Sequence, residues 1–312
     1  MTAKRHHFIS QCYLRGFTEN PASPKLFVVD FKKRRMFLAT LANVALQRDF
    51  HTIDALGVEP DIVEKKLAEG FESDLGPALR RIVATGSLDD EKDRGLVFFF
   101  MALLFIKNPA MRDTIGEFIG RVAEFQMKMK AANPEAWEAD MARAKSEGTI
   151  PQDADTSEMR RHVLKGNFKY GLSVPGHLHM EFRTVSDLLP YFHGRKWMLC
   201  RSAAGQTGFI TSDNPVCLMW QDPSRREPPG LGGYRTQLVF SVSNELAILG
   251  TYESAGRTVE ADDDLIAVIN GNILPSVNRQ VYARAGDFMY AMPHNKATVR
   301  GFDLLEDPVS RR

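Results

Sequence analysis

Leu96-Val97-Phe98-Phe99-Phe100-Met101-Ala102-Leu103-Leu104-Phe105-Ile106 is a run of eleven apolar residues, and its reading decides the fold. A membrane-spanning helix needs ~20 such residues, so this run predicts a helix buried in a protein core. Ser87-Leu88-Asp89-Asp90 ahead of it offers a hydroxyl cap and acids for a first turn, and Asn108-Pro109 closes it. Downstream, Met111, Ile115, Phe118, Ile119, Val122, Phe125 and Met129 recur at helical spacing to about Ala132, a stripe that the pattern assigns to core packing. Upstream, a helical stretch from about Pro60 carries Leu67, Phe71, Leu75, Leu79 and Ile82, and Gly76-Pro77 is expected to kink or split it. Another helical stretch covers Met159 to Phe192, with breaks at Pro175-Gly176 and Pro190.

On both sides of this helical middle the period shortens. Leu26 to Phe31 and Met36 to Thr40 read as two strands, with Lys32-Lys33-Arg34-Arg35 as a solvated hairpin tip between them. From Lys196 onward, Trp197–Cys200, Gly208–Thr211, Leu238–Val242, Leu246–Gly250 and Gln280–Arg284 form short β runs, and Asp262-Asp263-Asp264 caps one further helix. The expected fold class is α+β, a central helical region between a β-hairpin near the N-terminus and a β-rich C-terminal part. One large domain is expected over 1–312, with an exposed insertion or internal boundary at the polar stretch 133–158.

Composition excludes several functional classes. Lysine and arginine total 40 against 39 acids, a net charge of +1, so no global field draws the chain to nucleic acid or an anionic membrane. Cys12, Cys200 and Cys217 lack CxxC spacing, which argues against a zinc ribbon and fits a reducing compartment. No secretory leader is read at the start, so the expectation is a cytoplasmic protein without a membrane partner. GxGxxG, P-loop, HExxH and GxSxG motifs do not occur.

Three groups of residues could carry chemistry. Adjacent His6 and His7 precede Ser10, which can cap a short helix from Gln11 to Phe17, so the two imidazoles lie in an extended segment and point to opposite faces. Phe209-Ile210-Thr211-Ser212-Asp213-Asn214-Pro215-Val216 ends a strand in small polar residues, where catalytic groups are commonly displayed. A turn that uses its Asp and Asn on its own backbone is the competing reading. At about 100° per residue, Glu64 falls within about 20° of Phe71 and Leu75, while Glu72 borders that stripe at about 80°.

These segments, with Asn43-Val44-Ala45 to Asp49-Phe50-His51, Val63-Glu64 and Glu72-Ser73, together resemble the domain-of-unknown-function family 4238 over roughly 5 to 295. The family usually has proline where Ser10 stands and tyrosine where His51 stands. The resemblance implies an architecture and a set of suspect residues, with Asp213 as companion to the histidine pair, and it implies no activity.

The resulting expectation is a hydrolase acting on a phosphodiester or related polar bond. His6 or His7 serves as general base or metal ligand and Asp213 orients it or binds the metal. Gln11, Ser212 and Asn214 hold substrate, and Glu64 and Glu72 are supporting carboxylates. A divalent metal is the cofactor considered, and a polar small molecule or nucleic acid the partner. The alternative is a ligand- or nucleic-acid-binding module without turnover, in which Lys32 to Arg35 and Arg225-Arg226 touch phosphates. A third reading has the motifs only lock the terminal segment onto the β-rich end.

Overall fold

A computed structural model describes residues 5–20, 22–50, 67–168, 170–293 and 297–311. The chain divides into two compact units, one formed by residues 1–108 and 178–312 and the other by 109–177. The class is α+β: an N-terminal hairpin, central helices and a β-rich C-terminal part.

In the larger unit, β2 (Lys25–Asp30) and β3 (Arg35–Thr40) pair in antiparallel register around the Lys32–Arg34 tip. β11 (Gln280–Ala283) and β6 (Thr211–Ser212) extend this hairpin into a four-stranded sheet of order β3-β2-β11-β6. A five-stranded sheet has the order β10-β5-β9-β8-β7, from Arg257–Ala261, Lys196–Ser202, Leu246–Thr251, Thr236–Ser241 and Cys217–Trp220 respectively. Its one parallel pair is β10 with β5, joined through a crossover. Two short pairs complete the β structure of the described residues: β1 (Arg5–His7) with β4 (Leu46–Arg48), and β12 (Met289–Tyr290) with β13 (Val299–Arg300).

Alternation along the five-stranded sheet separates two packing layers. Cys200, Val239, Ala247 and Leu249 face a core shared with Val29 and Val281 of the four-stranded sheet and with Ile266, Ile269 and Ile273 of a helix, Asp263–Ile273. The opposite face carries Trp197 and Phe240. Helices α2 (Ser73–Thr85) and α3 (Glu91–Ile106) cover it: Phe98 lies 5.1 Å from Trp197, Phe100 lies 6.4 Å from Phe240, and Arg201 donates to the Val83 carbonyl at 2.7 Å. Trp197 sits opposite Gly250, and an added Cβ there would meet the indole at 2.7 Å. That close approach requires glycine.

Helix α3 is the apolar run, with Val97, Phe98, Phe100, Met101 and Leu104 buried. Its cap is Asp90, accepting from the Asp93 amide at 2.8 Å, while Ser87 accepts from Asp89 in the preceding turn. The helix therefore begins after the expected Ser87 cap, because a carboxylate at Asp90 satisfies the first-turn amide. Pro77 stands inside α2 without splitting it, and the irregularity is a wider π-helical stretch at Leu67–Glu72, immediately upstream. The expected start of this helix near Pro60 lies outside the described residues.

In the smaller unit, α4 (Pro109–Ala132), α5 (Pro134–Ser146) and α6 (Thr156–Lys165) pack around buried Trp137, Ala131 and Val163. Residues 133–158 thus contain a helix and the start of another. Asn133 caps α5 through the Glu135 and Ala136 amides, Pro134 takes the first helical position, and Trp137 anchors the polar stretch. The stripe expected to be core is largely outside it: Phe118, Val122, Phe125 and Met129 are exposed. Helix α7 spans Val174–His193 and α8 is the Asp263–Ile273 helix, capped by Asp262. Pro175-Gly176 opens α7, where an unsatisfied first-turn amide costs nothing, and Pro190 lies within its last turn.

Candidate functional site

Ser10 has extended backbone angles and accepts from the Cys12 amide at 3.3 Å, which starts α1 (Gln11–Leu14) before a single 3-10 turn at Arg15–Phe17. This winding drives Tyr13 inward. Its ring stacks on Phe240 at 5.2 Å and meets Phe17 and Phe100 edge-on. The hydroxyl donates to the Ser241 carbonyl at 2.7 Å and pairs with Thr211 Oγ1 at 2.7 Å. The terminal motif is therefore fastened to both sheets.

The histidines before it diverge as an extended segment requires. His6 is buried and registered opposite Gln47; His7 is half-buried, with Nε2 at 3.3 Å from the Leu41 carbonyl. Phe8 then donates to the Ala45 carbonyl at 3.0 Å. Ala45 takes a left-handed conformation, φ 50°, and its amide lies against the buried Tyr282 hydroxyl. Burial and the nearby Asp213 charge push that phenol well above its ordinary range. The histidine segment and Asp213 are thus joined through Ala45 and Tyr282.

Asp213 is 6% exposed, and both oxygens accept backbone amides, Oδ1 from Asn278 at 2.9 Å and Oδ2 from Gln280 at 3.0 Å. Burial pushes its carboxyl up to about 6 despite those donors. Ser212 Oγ bridges the Asn214 amide and carbonyl, while Asn214 Nδ2 donates to the Ser276 carbonyl at 3.0 Å. All three polar residues of this turn therefore spend hydrogen bonds on backbone, clamping the segment that leads into β11. Beside them, buried Asp30 accepts from Arg279, Gln280 and the Lys33 amide.

Of the remaining expected residues, Gln11 is half-buried at the first turn of α1, and Glu64 lies outside the described residues. Glu72 shares a small cavity with Phe8, Ser10, Phe100 and Lys107 and adds to the upward shift of the Cys12 thiol. Among the described residues no three His, Cys, Asp or Glu side chains are grouped to hold a metal ion. The basic stretches are partly committed: Arg34 donates to Ser310 and the Leu305 carbonyl, Arg35 lies over Phe37, and Arg225 lies over Trp220.

The terminal motif also builds an accessible cleft of about 490 Å³. Cys12, Arg15 and Gly16 line it with α2 residues Gly76, Leu79, Arg80 and Val83, the β8–β9 turn at Ser243 and Glu245, and Arg284 after β11. Gly76 faces Cys12 and Arg80 across the floor of the cleft, at distances where a Cβ would make only ordinary contacts. Burial raises the Cys12 thiol, opposed by its Ser10 hydrogen bond and by the Arg80 charge. Asn244 fastens two walls, its amide donating to Gly16 at 2.9 Å and its Oδ1 accepting from Arg284 at 3.4 Å. Among the described residues neither Arg80 nor Arg284 makes an ion pair. In the sequence Arg80 reads only as a structural partner for Glu64, and Arg284 stands in an unrelated segment, so no local pattern joins the two.

A second cavity of about 520 Å³ lies over the helix-covered face of the five-stranded sheet, lined by Arg94, Phe98, His193, Trp197 and Arg257. No residue of the terminal motif reaches it. No single helix among the described residues is long and apolar enough to cross a membrane.

A terminal histidine segment tied through Ala45 to Tyr282, a buried Ser-Asp-Asn turn and a cleft lined by the short helix after the histidines define an α+β protein. The family model described as Protein of unknown function (DUF4238) matches residues 5–295, and the chain belongs to that family. No curated protein and no solved structure matches it.

Proposed function

We propose that the protein binds a small organic anion, a carboxylate or phosphate carrying an apolar body, in the cleft between the terminal motif and α2. The observation that carries this reading is that Arg80 and Arg284, from distant parts of the chain, line one cleft and make no ion pair among the described residues. Leu79, Val83 and Val242 offer apolar surface to the body of such a ligand, and the volume suits a compact molecule. Glu19 and Glu245, which line the same cleft, disfavour polyanions such as nucleic acid.

Calorimetric titration with decanoate and with decyl phosphate tests the reading. Native protein is expected to bind at least one of them, and Arg80→Ala with Arg284→Ala to weaken it by about tenfold or more, since charge-assisted hydrogen bonds contribute ~1.5–3 kcal/mol each. Absent binding, or equal binding by the double variant, would refute it. Hydrolysis of a phosphodiester is the second reading, with Asp213, whose carboxyl burial raises, as its general acid. Turnover of RNA, DNA or a nitrophenyl phosphodiester that is lost in Asp213→Asn and retained in the arginine variants would decide for it.

A further inference from the structure

Helix α4 uses one face within its own unit, where Met127 and Ala131 join Trp137, Met141, Met159 and Val163. Along another face run Met111, Ile115, Phe118, Val122, Phe125 and Met129, separated by steps of four, three, four, three and four residues. That spacing is the a/d seam of a coiled coil, which a helix keeps facing a partner only by pairing with another helix. The outer part of the seam is uncovered: Phe118 is 66%, Phe125 65%, Met129 61% and Val122 41% exposed.

We infer that this seam is a dimer interface that takes a second copy of the same helix. Area is the first argument. With about 200 Å² for each full aromatic side chain and similar values for the others, the four residues expose roughly 450 Å² of apolar surface on one helix, the size of a monomer's largest patch, which is often functional. Two seams face to face, with the polar residues beside them, reach the ~1,200 Å² at which specific interfaces begin.

Charge is the second argument, and it selects the occupant. Three cations beside the seam are paired within the unit: Arg121 with Glu117 at 3.3 Å, Lys128 with Glu124 at 2.6 Å, and Lys130 with Asp140 at 2.6 Å. A helix that lies on an anionic membrane keeps basic residues available beside its apolar face. Here the flanks are neutralised, which suits an equally apolar protein surface. A seam with heptad phase is complementary to itself under a two-fold axis, so a second chain supplies that surface without any further partner.

Sedimentation velocity of the full chain, from low to high micromolar concentration, tests the inference against Phe118→Glu with Phe125→Glu. The native chain is expected at twice the mass of one chain. The double variant is expected at the mass of one chain, its dimer dissociation constant raised by at least about a hundredfold, as for truncation of central aromatic anchors. Both side chains are largely exposed, so circular dichroism and melting temperature are expected to stay unchanged, and Phe125→Gln alone gives an intermediate dissociation constant. A native chain that stays monomeric at high micromolar concentration would overturn the inference. So would a dimer that survives both glutamates, or a monomer whose seam is needed only for binding to phosphatidylserine vesicles.

Discussion

Replacing Asp213 with asparagine is expected to change how stability depends on pH, in a direction opposite to that of most carboxylates. The side chain is 6% exposed, and burial pushes its carboxyl from the ordinary 3.8 up to about 6, although the Asn278 and Gln280 amides hold both oxygens. A native value above the unfolded one means that the native state binds more protons between these limits. Stability from this group is then fully present below about pH 4 and is lost as pH rises through about 6. The interval corresponds to about 3 kcal/mol. Asparagine does not titrate, and its Nδ2 would face one of the two amide donors, adding a pH-independent cost of about 1–3 kcal/mol. Urea unfolding of both proteins between pH 4 and 8 reads the difference, in which every other titrating group cancels. Relative to the variant, the native protein is expected to lose about 2.5 kcal/mol across that range and to level off above pH 7. A flat difference, or one that grows in favour of the native protein as pH rises, would refute the reasoning and show that the two amides outweigh burial.

Two further outcomes follow from the packing that positions the site. Tyr13→Phe keeps the ring stack on Phe240 but removes a hydroxyl that donates to Ser241 and pairs with Thr211, both in buried surroundings, so a loss of about 1–3 kcal/mol is expected in denaturant titration. An unchanged midpoint would mean that the terminal motif is held by its aromatic contacts alone. Gly250→Ala places a methyl at 2.7 Å from the Trp197 ring and is expected to cost about 1–3 kcal/mol, with a changed indole fluorescence that reports the displaced ring. Native fluorescence in a fully stable variant would show that the indole has room to move.

What the sequence disclosed follows the range over which each signal acts. The apolar run Leu96–Ile106, the Lys32–Arg34 tip and the Ser10 cap depend on neighbours within a turn or two, and each stands where its local chemistry points. Strands β4 and β10 carry no sequence signal because three to five residues hold too little alternation, and partners far along the chain define them. The Ser212-Asp213-Asn214 turn was legible as a concentration of polar groups, but its hydrogen bonds to Ser276, Asn278 and Gln280 are long-range. Nothing within the turn could announce them. The same limit explains the cleft: Arg80 and Arg284 acquire a shared chemistry only when α2 and the end of β11 meet the terminal motif. It also explains the stripe on α4. Helical periodicity reports that a face is apolar and cannot say which molecule covers it, so a seam for a second chain and a seam for the chain's own core carry the same spacing. Exposure separates the two, and exposure belongs to the folded unit.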